Sequence, residues 1–97
     1  MKQCNTLEEV RSEIDTLDDK IVALIADRNA FIHQAAGFKN TVDEVKAPER
    51  VNEIIQRVRH QAGLAGLSPN LINEIYEIMI KEMVESEIAE FRNKSVF

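Results

Sequence analysis

The feature that most constrains the fold is a long helical pattern near the start of the chain. Apolar residues recur at spacings of three and four, and no proline or glycine interrupts the pattern before Gly37. Thr6 and Glu9 have the spacing of a capping box, which typically begins a helix. The periodicity predicts one helix over about residues 6–38. Its apolar seam comprises Leu7, Val10, Ile14, Leu17, Ile21, Leu24, Phe31, Ala35 and Phe38.

The predicted length of this helix argues for a second chain. At a rise of about 1.5 Å per residue the helix measures about 50 Å. A compact domain of 97 residues has a diameter of only about 33 Å. The seam would therefore lie in water unless another copy covers it. We expect an intertwined helical homodimer, because a lone chain of this size buries only about 60–65% of its unfolded surface.

Two shorter helices are predicted after the long one. Pro48 favours the first turn of a helix over residues 48–63. Ser68 and Pro69 provide an N-cap and a first-turn proline for another helix over residues 69–92. The predicted buried stripe of this last helix consists of Ile72, Ile75, Tyr76, Met79, Ile80, Met83, Val84, Ile88 and Phe91.

No segment shows the alternation of a half-buried strand, so the fold class is predicted as all-α, with three helices, one of them very long. We expect a single helical domain over residues 1–97. Residues 37–51 are interpreted as the connection between the first two helices.

Composition and charge exclude several classes of function. A net charge of −5 argues against a nucleic-acid partner, which requires a surplus of cations. No apolar run reaches the length of a membrane span, and no histidine spacing suggests a metal. Cys4 is the single cysteine, which fits a reducing compartment. We therefore expect a cytoplasmic protein without a membrane or metal partner.

Arg28 lies on the apolar seam, where a charge is unexpected. A desolvated guanidinium needs an anion. One interpretation is an internal salt bridge to an acid on the last helix, or a polar residue that sets the register of a coiled coil. The other is a bidentate clamp on the carboxylate of a ligand.

Glu87 lies beside the apolar stripe of the last helix. Burial disfavours the charged form of a carboxyl group, and a neutral carboxylic acid can donate a hydrogen bond. The alternative is that Glu87 pairs with Arg28 or with another cation.

Three further cations are candidates for binding a small anion. Lys39 closes the predicted first helix and lies three turns beyond Arg28 on nearly the same face. Arg50 stands at the start of the second helix, where the dipole disfavours a cation, although Glu49 or Glu53 could offset it. Arg11 lies about 25 Å from Arg28, so both can reach one ligand only if they come from different chains.

This arrangement of cations resembles the all-helical chorismate mutase family. The resemblance extends from about residue 7 to residue 91. It rests on Arg11 in VRSEID, Arg28 in IADRNAF, Lys39 in GFK, Arg50 in APERV and an acid at Glu87. It implies a homodimer with two shared active sites that converts chorismate to prephenate without a cofactor.

The resemblance also implies a role for each residue. Arg28 and Arg11 of the other chain would hold the two substrate carboxylates. Lys39 would donate to the ether oxygen and to a carboxylate, and Glu87 would donate to the ether oxygen from the other side. Arg50 would add positive charge, so that residues 37–51 form a lid over the dianion.

Four residues depart from the mutase pattern. Glu87 stands where bacterial members usually carry Gln, and Met83 replaces a small serine. Val51 stands where a Glu contacts the ring hydroxyl, and Ala47 where Asp is common. The APERV segment instead resembles the isochorismate-pyruvate lyase branch, which forms salicylate and pyruvate. Isochorismate is therefore an alternative substrate, and a non-catalytic helical interaction module is the alternative outside enzymes.

Overall fold

The computed structural model describes residues 1–95, and all of its regular structure is helical. It contains α1 (Leu7–Ala36), α2 (Val42–Lys46), α3 (Pro48–Leu64) and α4 (Pro69–Ser95). No strand occurs among the described residues. The all-α class and the three predicted helices are confirmed. The short helix α2 was not predicted, and it lies within the segment that we interpreted as a connection.

Helix α1 begins where its capping residues predict. The Glu9 N–H donates to the Thr6 Oγ1 over 3.1 Å. The Glu9 carboxylate accepts from the N–H of Asn5, one residue before the donor of a standard capping box. The bond from Glu9 satisfies an amide that the first turn leaves without a helical partner, and the bond from Asn5 ties the preceding residue to the helix.

Helix α1 ends at Ala36, two residues earlier than predicted. The amides of Gly37, Phe38 and Lys39 each donate to a carbonyl three residues earlier. Such bonds tighten the end of a helix and turn the chain away from the α-helical path. Lys39 therefore lies beyond the end of α1, and the helical spacing that predicted it on nearly the same face as Arg28 does not determine where it lies.

Helix α2 is a helix of five residues with ordered junctions on both sides. The Thr41 side chain caps its N-terminus, and Ala47 follows it in the left-handed conformation at φ 40°. Ala47 is also the N-cap of α3, and Pro48 follows at the first position of that helix. One residue thus separates α2 from α3.

Helices α3 and α4 form an antiparallel pair joined by a capped turn. Gly66 has φ 78°, and the N–H of Leu67 donates to the Ala62 carbonyl over 2.8 Å. This is the Schellman arrangement, which needs a residue that tolerates positive φ. The Ser68 Oγ accepts from the Leu71 N–H and caps α4. Helix α4 continues to Ser95, three residues past the predicted end.

The chain divides into two compact units, Met1–Ile32 and His33–Phe97. The first consists of the N-terminal residues and most of α1, and none of its residues is buried. The second contains the hydrophobic core, where α2 and α3 each pack against α4. The buried apolar residues of this core are Val45, Ile55, Val58 and Ala62.

Candidate active site

A buried ion pair is the central feature of the second unit. Glu87 on α4 is 3% exposed and is the one buried polar or charged residue among those described. Lys39 lies between α1 and α2, and its Nζ is 3.4 Å from the Glu87 Oε2. A buried carboxylate needs such a partner, because transferring an ion from water to the protein interior costs roughly several kcal/mol. The prediction that Glu87 lies beside the apolar stripe of the last helix is confirmed by its burial. Its partner is a cation, as the alternative interpretation expected.

The backbone on both sides of Lys39 is hydrogen-bonded. Its own N–H donates to the Ala36 carbonyl over 3.2 Å. The next amide, that of Asn40, donates to the Glu44 carboxylate. The Glu44 N–H donates in turn to the Thr41 Oγ1 over 3.1 Å. Thr41 and Glu44 are residues that our sequence reasoning missed.

A signal for these two residues is present in the sequence. Asn40-Thr41-Val42-Asp43-Glu44-Val45 repeats the pattern of Asn5-Thr6-Leu7-Glu8-Glu9-Val10. Both segments make the same two capping bonds, from the first amide to the glutamate and from the glutamate amide to the threonine. The capping box recognised at Thr6 therefore predicts a helix start at Thr41 as well.

Arg50 belongs to the same unit but lies on its surface. Its Nη1 is 3.4 Å from the Glu53 Oε2, and both side chains are largely exposed. This matches the expectation that Glu53 offsets a cation in the first turn of α3. An exposed pair of this kind contributes only about 0–1 kcal/mol, so it does not prevent Arg50 from turning toward an anion.

Arg11 and Arg28 lie on α1 in the first unit. Arg11 is exposed and Arg28 is partly buried. Arg11 and Arg28 are separated along α1 by about 25 Å at the helical rise. Within the second unit the structure brings together Lys39 and Glu87, two of the five predicted site residues.

A second contact near the ion pair was not predicted. His33, in the last turn of α1, places its Nδ1 2.9 Å from the Glu90 Oε2. Glu90 lies one turn beyond Glu87 on α4 and is exposed. The contact adds a polar link between α4 and the segment that precedes Lys39.

Besides Glu87, three residues depart from the chorismate mutase pattern, and all three belong to the second unit. Val51 is partly buried in the first turn of α3, and Met83 is partly buried one turn before Glu87. Ala47 occupies the left-handed junction. Neither Val51 nor Met83 has a side-chain N–H or O–H group that could donate a hydrogen bond to a ligand hydroxyl.

The chemistry available here is that of ammonium, guanidinium and carboxyl groups. Within residues 1–95 no cluster of His, Cys, Asp or Glu could hold a metal ion. No helix in the described part of the chain is long and apolar enough to cross a membrane. A Lys–Glu pair of this kind suits an anion whose charge must be held and redistributed.

Comparison with known proteins identifies the family. Residues 10–88 match the family described as chorismate mutase type II. The chain is 32% identical over 93 residues to a chorismate mutase of Methanocaldococcus jannaschii, which covers 92% of this chain and 94% of that protein. It is also 32% identical over 88 residues to the T-protein of Haemophilus influenzae, covering 90% of this chain but only 23% of the T-protein. Neither description names a lyase, so closeness to the lyase branch stays a prediction.

The matched segment contains all five predicted site residues, from Arg11 to Glu87. It also contains α2 and α3 in full and most of α1 and α4. Because this segment makes up most of the 97 residues, the chain belongs to the chorismate mutase type II family.

Proposed function

We propose that the protein catalyses the rearrangement of chorismate to prephenate. The observation that carries this proposal is the similarity to an archaeal chorismate mutase over nearly the whole of both chains. The buried pair of Lys39 and Glu87 supports it, because it places an ammonium N–H and a carboxyl group side by side.

The reaction makes demands that these side chains can meet. It is pericyclic and unimolecular, so it needs neither a nucleophile nor a base. It needs the extended dianion to be held in a chair-like conformer. It also needs stabilisation of the negative charge that grows on the ether oxygen as the C–O bond breaks. Fixed cations and hydrogen-bond donors perform both tasks.

Each predicted residue takes one part of this work. Arg28, together with Arg11 of a second copy of the chain, holds the two carboxylates. Lys39 donates to the ether oxygen and to a carboxylate. Glu87 donates to the ether oxygen when its carboxyl group carries a proton, a state that competes with its ion pair to Lys39. Arg50 leaves its exposed partner and adds positive charge at the site.

A homodimer is part of the proposal. The seam of α1 is exposed in the single chain; Leu24 is 67% exposed and Phe31 is 69% exposed. Monomeric proteins rarely leave so long an apolar stripe in water. A second copy would cover the seam and bring the Arg11 that the site requires. Residues 1–97 would then act as a single domain in each subunit.

Sedimentation at low micromolar concentration tests the assembly. We expect a species of twice the chain mass of 11.1 kDa. A folded species of a single chain mass at that concentration would contradict the dimer and, with it, the role of Arg11.

A cytoplasmic location belongs to the same proposal, because the lone Cys4 fits a reducing compartment.

An assay with two substrates tests the reaction. Chorismate should be consumed, and its product should have the same mass because the reaction is an isomerisation. Isochorismate is the second substrate because Val51 offers no polar contact to a ring hydroxyl. A lyase would convert it to two smaller products, salicylate and pyruvate. Conversion of isochorismate alone would favour the lyase, and conversion of neither would favour the interaction module.

A further inference from the structure

We propose that Glu44 is a positioning residue that holds Lys39 in its catalytic place through helix α2. The proposal rests on the proposed function, since it assigns Lys39 to the reacting ether oxygen. It goes beyond that function because it assigns to Glu44 a role through the backbone beside Lys39 and no contact with the substrate. The argument starts from the backbone around Lys39.

Lys39 is held on its N-terminal side by the end of α1. The amides of Phe38 and Lys39 donate to the carbonyls of Ala35 and Ala36 over 3.0 and 3.2 Å. These bonds fix the direction in which the chain leaves the helix. They constrain the backbone up to Lys39 and place no constraint on the backbone that follows it.

Glu44 holds the C-terminal side. Its carboxylate accepts from the N–H of Asn40, the residue directly after Lys39. Its own N–H donates to the Thr41 Oγ1. A charged acceptor on a backbone amide makes a stronger bond than a neutral one. Through these bonds the position of the Lys39 peptide depends on α2.

Helix α2 is in turn anchored to the helix that carries Glu87. Val45 is 2% exposed, the lowest value among the buried apolar residues, and α2 packs against α4. Both residues are thus positioned relative to α4: Lys39 through α2, and Glu87 because it lies on α4 itself. A helix of five residues has almost no stability of its own, so its order depends on this packing and on the cap.

The consequence for catalysis lies in preorganisation. If Lys39 is already placed, its charge meets the developing negative charge without a further cost of ordering. If the cap is lost, the lysine must be ordered in each turnover. Since Lys39 acts on the ether oxygen in the transition state, the loss should lower kcat more than it raises KM.

The chain supplies a matched control in its first capping box. Glu9 makes the same two bonds at the start of α1, to the Asn5 N–H and the Thr6 Oγ1. Glu9→Ala therefore removes a cap of the same chemistry at the other unit. It separates the loss of a cap from the loss of this particular cap.

Steady-state kinetics on Glu44→Ala, Glu44→Gln and Glu9→Ala test the proposal. We expect Glu44→Ala to lower kcat by about 3- to 30-fold, the range that corresponds to the loss of a helix cap. Glu44→Gln keeps an acceptor for the Asn40 amide and should retain most of the activity. Glu9→Ala should stay within about twofold of the wild type. Equal activity of Glu44→Ala and Glu9→Ala would overturn the proposal.

A second readout does not depend on turnover. In the wild type, Glu87→Gln should shift the NMR signals of the Lys39 side chain, because the two groups are in contact. In a Glu44→Ala background that shift should be lost, and the amides of residues 40–45 should exchange faster with solvent. An unchanged shift would overturn the positioning role. A wild type that converts no chorismate would instead contradict the proposed function and leave this readout valid.

Discussion

The Lys39–Glu87 pair makes a quantitative prediction about stability. Lys39→Ala removes the cation and leaves the Glu87 carboxylate, 3% exposed, without its partner. A charge left alone in a dry site is the costly outcome when an ion pair is broken. We expect the folded state of Lys39→Ala to lose stability, and a second substitution, Glu87→Gln, to restore part of it.

The magnitude follows from burial and distance. Removing one partner of a fully buried pair costs about 3–5 kcal/mol. The Lys39 side chain is still 22% exposed, and its Nζ is 3.4 Å from the carboxylate oxygen, a long contact for a hydrogen bond. We therefore expect a loss of about 2–3 kcal/mol for Lys39→Ala. Neutralising the carboxyl group with Glu87→Gln should recover about 1–2 kcal/mol, since an unpaired amide costs less than an unpaired charge.

Urea unfolding followed by helical circular dichroism measures both values at one fixed protein concentration, because association would shift the midpoint. A loss of 2–3 kcal/mol corresponds to a midpoint shift of about 1–2 M urea for a small protein. The matched control is Lys2→Ala. Lys2 and Glu13 form a pair of the same residue types at 3.2 Å, but both side chains are about half exposed or more. That variant should lose less than about 0.5 kcal/mol.

Two results would refute this reasoning. One is a Lys39→Ala variant that loses no more stability than Lys2→Ala, which would mean that water solvates Glu87. The other is a double variant, Lys39→Ala with Glu87→Gln, that is no more stable than Lys39→Ala alone. Then the loss would come from the lysine stem and its packing, and the ion pair would not be responsible.

Three further predictions concern activity and the turn after α3. Arg28→Ala should lower kcat/KM by about 10²–10⁴-fold while circular dichroism shows a folded protein; full activity with a much lower melting temperature would make Arg28 structural. Glu87→Gln, which keeps a donor, should hold or raise activity near neutral pH, whereas Glu87→Ala should lose it; equal kinetics for the two variants would remove Glu87 from the site. Gly66→Ala should destabilise by about 1–2 kcal/mol, because Gly66 has φ +78°. Gly63→Ala should stabilise the folded state by about 0.4–1 kcal/mol, because alanine restricts the unfolded chain and its Cβ would meet nothing within 4 Å. Shifts of the urea midpoint in the same direction for both variants would contradict the different roles of Gly63 and Gly66.

The long helices were predictable because their signals are local. The starts of α3 and α4 follow from Pro48 and from Ser68 with Pro69, and the structure places them at those residues. The end of α1 was less predictable. Phe38 continues the apolar spacing, but the chain turns away after Ala36 through bonds that span three residues. An apolar residue can follow a helix as well as end it, so spacing alone gave the wrong boundary.

The sequence by itself determined the all-helical fold, the chorismate mutase resemblance and the identity of the residues that do not suit their positions. Glu87 could be singled out because a charge beside an apolar stripe is visible in the periodicity. The tertiary structure decided that Lys39 is its partner. Residues 39 and 87 are far apart in the chain, and Lys39 lies outside any helix, so no period relates them. Helix α2, which follows Lys39 in the chain and contains the buried Val45, packs against α4, and no local pattern encodes such a non-local contact.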